Sequence, residues 1–533
     1  MRQRSKWYLI EFFMTVFVIL GIVGKYVVEV DPFFHYHKPD TEKYYYVLNN
    51  ARSQNDGISK RFDYNMLITG TSMTQNFKTT EADAIWAEEG ANAIKVPYAG
   101  ATYKEINDNL IKALERNTNL HIIIRSLDMN QFLRSKDAMR YELGYYPTYL
   151  YDDIIWNDVE YLFNRDVIFS RVYPMLTETA EPGITSFDDY SNWTSQFTFG
   201  SEIVMGLNGD SSDITIGEPV HLTEQEKEEV LGNICQNVTS LAERYPNVDF
   251  YYFFTPYSIA YWRDKVQTGD IYRQIETERL VIEEILKCDN IKLYSFNNRT
   301  DITTDLNNYK DKIHYGGWIN SLMLRWMHDE KYLLTEGNYE EYLAEELAFY
   351  TSYDYGCLAE QIDYENNYYA AALLNEELYG VAPLTVTDEM LQQGEMKSAR
   401  IVADQYQGMA GVECSGCLQR EPNNERPLSE YLMEDEYIGY KMVIEDIEDY
   451  RYLVFYGRKE SGDGQPSVFV YNEDNQVVAE YDADCRGLDN EWHQYLIDIA
   501  DLTGTVTIIF NGGYTDNTGS KYTSYLFSNM VLY

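Results

Sequence analysis

Three residues of this 533-residue sequence suggest chemistry by type and spacing: Ser72, Asp311 and His314. Ser72 stands in Gly70-Thr-Ser72-Met73, directly after the short apolar run Tyr64-Asn-Met-Leu-Ile-Thr69. A serine on a turn between a strand and a helix presents its hydroxyl where the first-turn N–H groups of that helix point. Asp311-Lys-Ile-His314 precedes Tyr315-Gly-Gly-Trp-Ile-Asn320. In a loop entering a helix, that spacing lets the carboxylate accept the imidazole Nδ1–H and leaves Nε2 as a base. Alone, each motif reads equally as an ordinary loop or a surface ion pair. Together they supply a nucleophile, its base and the group that orients the base.

The elements that would have to unite them alternate between strand and helix from Asp63 onward. Tyr64–Thr69, Ala93–Pro97, Leu120–Ile124, Val248–Phe254 and Ile291–Ser295 read as strands. Tyr103 to Arg116 carries Ile106, Leu110, Ile111 and Leu114 on one helical face, and Glu224–Arg244 and Ile271–Lys287 are also helical in spacing. This alternation predicts an α/β fold with a doubly wound parallel sheet and right-handed crossovers. Sites in such sheets lie at the carboxyl ends of the strands. Ser72 follows the first strand and the Asp-His pair follows the last, so both belong on one edge. A tyrosine-rich excursion over roughly 131–220 reads as a lid or a substrate-binding insertion.

The N-terminus carries Arg2, Arg4 and Lys6, then the apolar run Trp7–Gly24, broken only by Glu11. About 18 residues at ~1.5 Å each just cross the roughly 30 Å of bilayer hydrocarbon. The basic cluster stays inside, which predicts a single-pass protein of the cell membrane with a cytoplasmic N-terminus and its bulk extracellular. A cleaved signal peptide would need a small-residue cleavage site, and the exit Gly24-Lys-Tyr-Val-Val-Glu-Val-Asp offers none. The expected organisation is a basic flank and anchor over 1–30, an α/β domain over 31–335, a helical acidic spacer over 336–380, whose helical part Tyr339–Tyr379 reads as a packing helix or a spacer, and a β-sandwich over 381–533. Short strands separated by turn residues, such as Tyr452–Tyr456, Ser467–Tyr471 and Thr505–Phe510, argue for the sandwich.

The formal charge of −43 excludes a general binder of nucleic acids or anionic membranes. Six cysteines are too thinly spread for a disulfide scaffold, and Cys414-Ser-Gly-Cys417 reads as a local disulfide or two thiols. Neither a metal nor a cofactor is expected. His35 and His37 are too few to argue a metal site, and solvated turns account for acidic loops such as Asn472-Glu-Asp474. Trp492, Tyr495, Tyr514, Tyr522 and Tyr525 are candidate sugar-stacking residues, with core positions as the alternative.

Over roughly 60–330 the sequence resembles the SGNH (GDSL-type) hydrolase superfamily. The resemblance carries the nucleophile to Ser72, in Gly-Thr-Ser rather than Gly-Asp-Ser, and the D-x-x-H pair to Asp311 and His314. It carries a second conserved glycine of the pattern to Gly100. The third block departs: Gly-x-Asn-Asp becomes Ser126-Leu-Asp128-Met129-Asn130. The oxyanion asparagine is therefore either replaced by Asp128 or displaced to Asn130. An acid there repels a developing oxyanion unless it points away, and the backbone N–H groups of Ser72 and Gly100 remain as donors. An anchor, an SGNH-like domain and a jelly-roll-like, carbohydrate-binding-module-like sandwich are together similar to polysaccharide O-acetylation proteins of the alginate type and to the teichoic acid D-alanylation protein. That similarity implies serine-dependent acyl transfer, as esterase or O-acyltransferase, on a cell-envelope polysaccharide. It also implies a membrane-bound O-acyltransferase as partner. The rival is a non-catalytic glycan-binding or polysaccharide-assembly protein that kept the fold.

Overall fold

The computed structural model describes residues 2–533 except 144–145, 153, 180, 207–213, 362–367, 417, 420–427, 429–431, 433–436, 463–464, 483–489 and 516–522. Two compact units divide it, Met1–Asp363 and Tyr364–Tyr533.

The first unit is mixed α/β. Its sheet contains β1 (Met66–Gly70), β2 (Ala93–Pro97), β3 (Ile122–Leu127), β4 (Asp249–Phe254), β5 (Ile291–Ser295) and the two-residue β6 (Leu333–Leu334). The order is β2-β1-β3-β4-β5-β6. The first five strands run parallel, with Met66 beside both Ala93 and Ile122, and β6 closes the edge antiparallel to β5. Every residue of β1, β2 and β3 is buried. Successive strand residues face opposite sides, so both faces of the sheet are covered. That is why these strands read as continuous apolar runs.

Helix α1 spans Arg2–Val30, α2 Ala51–Arg61, α3 Thr79–Ile85 and α4 Tyr103–Arg116. Thr102 and Glu105 form a capping box that starts α4 where the sequence pattern places it. Helix α1 is the one described helix long and apolar enough to cross a membrane, over Lys6–Val30. Its exit is fixed tightly. Val27 and Val30 are fully buried, and Asp31 adopts a left-handed φ of 43°. The buried Asp31 carboxylate accepts from the backbone N–H groups of His35 (3.0 Å), Tyr36 (2.7 Å) and His37 (3.0 Å), and from the Tyr161 hydroxyl (2.8 Å).

Of the two readings of the acidic stretch, packing helix or spacer, its first helix takes the former. Its helix Tyr339–Ser352 belongs to the first unit, where Leu343, Glu346 and Tyr350 are buried and Tyr350 stacks on Trp262 at 4.2 Å. Leu343, Glu346 and Tyr350 mark the packed face, while Glu340, Glu341 and Glu345 face solvent.

The second unit holds two sheets. One has the order Glu395–Lys397, Gly439–Ile444, Val506–Thr515, Gln465–Tyr471, Val477–Asp482. The other has the order Ala399–Tyr406, Met409–Gly416, Thr523–Leu532, Tyr452–Ser461, His493–Asp498. Neighbours along both paths are antiparallel, and the short Leu418–Gln419 pair on Val506–Thr515 is parallel. Val412, Phe455, Tyr495, Ile508, Phe510 and Phe527 pack in its core. Tyr495 and Tyr525 are therefore core residues rather than sugar platforms, with their hydroxyls 3.1 Å apart. Trp492 is half-buried, beside Tyr406 and under Arg458. Tyr522 and Cys417 lie outside the described residues, as does the side chain of Tyr514. Cys414 is buried as a thiol, and the Asn472 side chain caps its own turn by accepting from Gln476 N–H at 2.9 Å.

Candidate active site

Strand β1 ends at Gly70, whose φ is +146°. A Cβ here would stand 2.3 Å from Ser126 Oγ, so only glycine allows β1 and β3 to close so tightly at their carboxyl ends. A single 3₁₀ turn, Ser72–Thr74, follows, and the Thr71 hydroxyl accepts from Met73 N–H at its start. Asn320, on helix Gly317–His328, donates its side-chain N–H to Met73 O at 3.0 Å. The buried Lys95 ammonium donates to Gln75 O (2.6 Å), Phe77 O (2.8 Å) and Asp188 O (3.2 Å). The turn carrying Ser72 is thus held from both sides, which fixes its hydroxyl in place.

The fold brings the three sequence-predicted residues together across 242 positions. Ser72 Oγ lies 2.8 Å from His314 Nε2. His314 Nδ1 lies 2.8 and 3.0 Å from the two Asp311 carboxylate oxygens. Asp311 Oδ1 also accepts the backbone N–H of Ile313 and of His314, each at 2.9 Å. A carboxylate only accepts, so Nδ1 carries the proton, Nε2 is the acceptor and Ser72 donates to it. Burial would raise the Asp311 pKa, but the hydrogen bond and charge of His314 and the two backbone donors outweigh it and hold it well below the usual carboxylate range. Asp311 therefore stays ionised through any proton cycle on His314.

The three remaining candidates, the oxyanion residues Asp128, Asn130 and Gly100, resolve differently. The Asp128 carboxyl is buried and turned into a polar knot. It accepts from Thr71 Oγ1 (2.7 Å), Ser126 Oγ (3.1 Å) and Tyr257 OH (3.1 Å), and Tyr103 OH donates to its backbone carbonyl (3.0 Å). Burial raises its pKa despite those donors. Asp128 thus braces the loop behind Ser72 by binding the neighbouring Thr71. Asn130 is exposed and lines a cavity of about 190 Å³ with Phe132, Tyr261 and Arg273. Gly100 sits in a left-handed turn (φ 66°) two residues past Tyr98, whose N–H donates to Gly70 O at 2.8 Å. Among the described residues, the backbone N–H groups of Ser72 and Gly100 have no acceptor.

Sequence reasoning missed Trp193. It lies within the 131–220 excursion, which carries no periodicity that would place it. Its ring meets the His314 imidazole edge-on at 5.7 Å. Its Nε1–H donates to Gln75 (2.9 Å) and its backbone N–H to Asn76 (3.0 Å), next to the serine turn. Lys310 lies over the Trp193 and Phe197 rings and donates to Asp311 at 3.1 Å. The excursion thus walls the imidazole with aromatic surface, leaving fewer directions for bulk water.

No family model matches the chain, and no curated protein matches it. Among solved structures, CsCBM6-3 from Clostridium stercorarium in complex with cellobiose is 10% identical, with a TM-score of 0.17 over 28% of this chain and 91% of that one. A mutant of the family 29 carbohydrate-binding module CBM29-2 gives 10%, 0.17, 28% and 91% in the same terms. The K1 cleaved adhesin domain of Lys-gingipain from Porphyromonas gingivalis gives 10%, 0.17, 28% and 98%. Likeness at that level fixes neither ligand nor activity.

Proposed function

We propose that this protein performs serine-dependent acyl transfer, as an esterase or O-acyltransferase, on a cell-envelope polysaccharide. The observation that supports it is the unbroken hydrogen-bonded chain Ser72–His314–Asp311 at the carboxyl edge of a parallel sheet. In this reading the α/β unit is an SGNH-like doubly wound domain. Ser72 Oγ attacks the acyl carbonyl as its proton passes to His314 Nε2, and Asp311 steadies the resulting imidazolium. The Ser72 and Gly100 N–H groups receive the oxyanion. His314 then returns the proton to the leaving oxygen. In the second half-reaction it activates the acceptor, which is water for an esterase and a sugar hydroxyl for an acyltransferase. Helix α1 acts as a membrane anchor with the bulk outside, within reach of a membrane-bound O-acyltransferase that supplies the acyl group.

The test is a serine-directed fluorophosphonate and a chromogenic acetyl ester, each applied to the full chain and to Ser72→Ala. Labelling and turnover in the parent and neither in the variant are expected. Equal labelling of the two proteins, or none of either, would sink the catalytic reading.

A second reading is glycan binding without turnover in a protein that kept the fold. Asp128 favours it, because a carboxyl stands where the resemblance implies an amide donor, and it points to Thr71 and Tyr257. The half-buried Trp492, flanked by Tyr406 and Arg458, would then be the sugar platform. The solved structures named above include carbohydrate-binding modules, the ligand class this reading invokes. Unchanged glycan-array binding after Trp492→Ala would dispose of that platform.

A further inference from the structure

Between Ile154 and Tyr173 the first unit turns a run of large apolar side chains outward. Ile155 is 78% exposed, Trp156 88% and Phe169 65%, and Ile154, Val159, Phe163 and Tyr173 are exposed as well. Each such side chain left in water forgoes about 1.5–3 kcal/mol of burial, so a contiguous set of them is a standing cost in a soluble setting. They lie on a 3₁₀ turn (Ile155–Asn157), the short helix Val159–Leu162 and the helical stretch Arg165–Thr177.

This stretch is packed against α1. Both Val159–Leu162 and the turn Ile168–Val172 contact that helix. The level of contact is set by Gly24: a Cβ there would stand 3.9 Å from the Phe163 ring. Gly24 ends the apolar run that starts at Trp7, and about 17 steps of ~1.5 Å separate the two. Phe163 therefore sits level with the outer end of a hydrocarbon layer crossed by α1. Phe163 there adjoins the exposed apolar surface of α1 itself, where Phe13, Phe17 and Ile22 are exposed. Trp156 and Tyr173 are the residue types that settle at a membrane–water boundary.

We infer that residues 154–173 form a membrane-docking surface, which seats the α/β unit in the outer interfacial layer of the bilayer through Ile155, Trp156, Val159, Phe163 and Phe169. This rests on the reading of α1 as a membrane anchor. The occupant is lipid, because the stretch that carries the patch packs on the spanning helix at its outer end. Docking is apolar rather than electrostatic, because exposed Glu160 and Asp166 offset Arg165 beside the same side chains and the chain carries −43 overall. Uncharged lipid therefore suffices, and salt does not release the contact.

The experiment places the full chain in nanodiscs of uncharged phosphatidylcholine, with and without brominated acyl chains. Trp156→Phe and Trp7→Phe isolate each indole's emission by difference from the parent. The Trp156 side chain is almost wholly exposed, so its replacement leaves the fold intact. The expected result is blue-shifted Trp156 emission that brominated lipid quenches strongly, unchanged between low and high salt. Quenched Trp7 emission with unquenched, water-like Trp156 emission overturns the docking surface and leaves the anchor standing; a partner protein would then be the occupant of the patch. No quenching of either indole removes the anchor reading and the docking surface with it.

Discussion

The two units solve burial differently. The first buries ionisable side chains throughout, among them Asp31, Lys95, Arg125, Asp128, Glu278 and Glu346. Among its described residues, the second buries no Asp, Glu, Lys or Arg, and fills its interior with aliphatic and aromatic groups. A buried charge costs several kcal/mol unless it is paired or hydrogen-bonded, so it persists where it positions something. Lys95 and Asp128 show what that is: each binds the loop that carries Ser72 or its neighbour. The first unit gives up stability to hold a constellation, whereas the second is a packing solution.

The largest effect that would break this contrast is on chemistry. Ser72→Ala is expected to lower esterase turnover at least on the order of 10³-fold, about 4 kcal/mol of barrier, while leaving thermal unfolding unchanged. A loss of folding instead would mean that Ser72 is structural. The complementary change is Phe455→Ala in the sandwich core, where Phe455 packs on Tyr495, Phe510 and Phe527. It is expected to destabilise the second unit by about 3–5 kcal/mol in denaturant titration and to leave Ser72 labelling unaltered.

A smaller effect sharpens the contrast through pH. Glu278 and Glu346 are both fully buried, with Gln274 donating to one at 3.0 Å and Asn297 to the other at 2.8 Å. Burial raises both pKa values, that of Glu278 to about 7, and the charge and hydrogen bonding of Glu278 raise that of Glu346 further. A raised folded pKa means that the native state keeps a proton the unfolded chain gives up. Stability from this pair is therefore complete below the unfolded value near 4.5 and is lost as pH climbs towards about 7. Glu346→Gln is expected to flatten that slope for the first unit by about 2 kcal/mol across the window, read from denaturation midpoints at each pH. The second unit, without buried carboxyls among its described residues, should show no such slope. Smallest of all, Tyr525→Phe removes one hydroxyl from the 3.1 Å Tyr495–Tyr525 contact and is expected to cost about 1 kcal/mol, measured by the same titration.

Much of the α/β unit was legible because its signals are local. Ala93–Pro97 and Ile291–Ser295 are apolar runs of strand length, and the Tyr103–Arg116 helix declares itself by periodicity and cap. Ser72 and His314 were legible as a pair because each follows a strand that had already been read. Trp193 was not, because its place depends on where a long aperiodic excursion returns. Asp128 was visible as an anomaly, but its direction was not. Only the Thr71, Ser126 and Tyr257 hydroxyls around it show that it faces into the loop. In the sandwich, Ala399–Tyr406 and Met409–Gly416 escaped notice because charged and small residues interrupt their alternation. Tyr495 and Tyr525 had the composition of a binding face and the position of a core, and composition alone does not separate the two.

The Asp31 junction carries one more consequence. Four donors clasp one carboxylate at the end of a continuous helix, so the body cannot swivel as if on a leash; it is keyed to the rotational phase of α1. Each residue of an α-helix advances that phase by about 100°. Inserting one residue between Lys25 and Val30 would therefore turn the whole body about the helix axis by that angle, and with it the direction in which Ser72 faces. Inserting a full turn would restore the heading and change only the height.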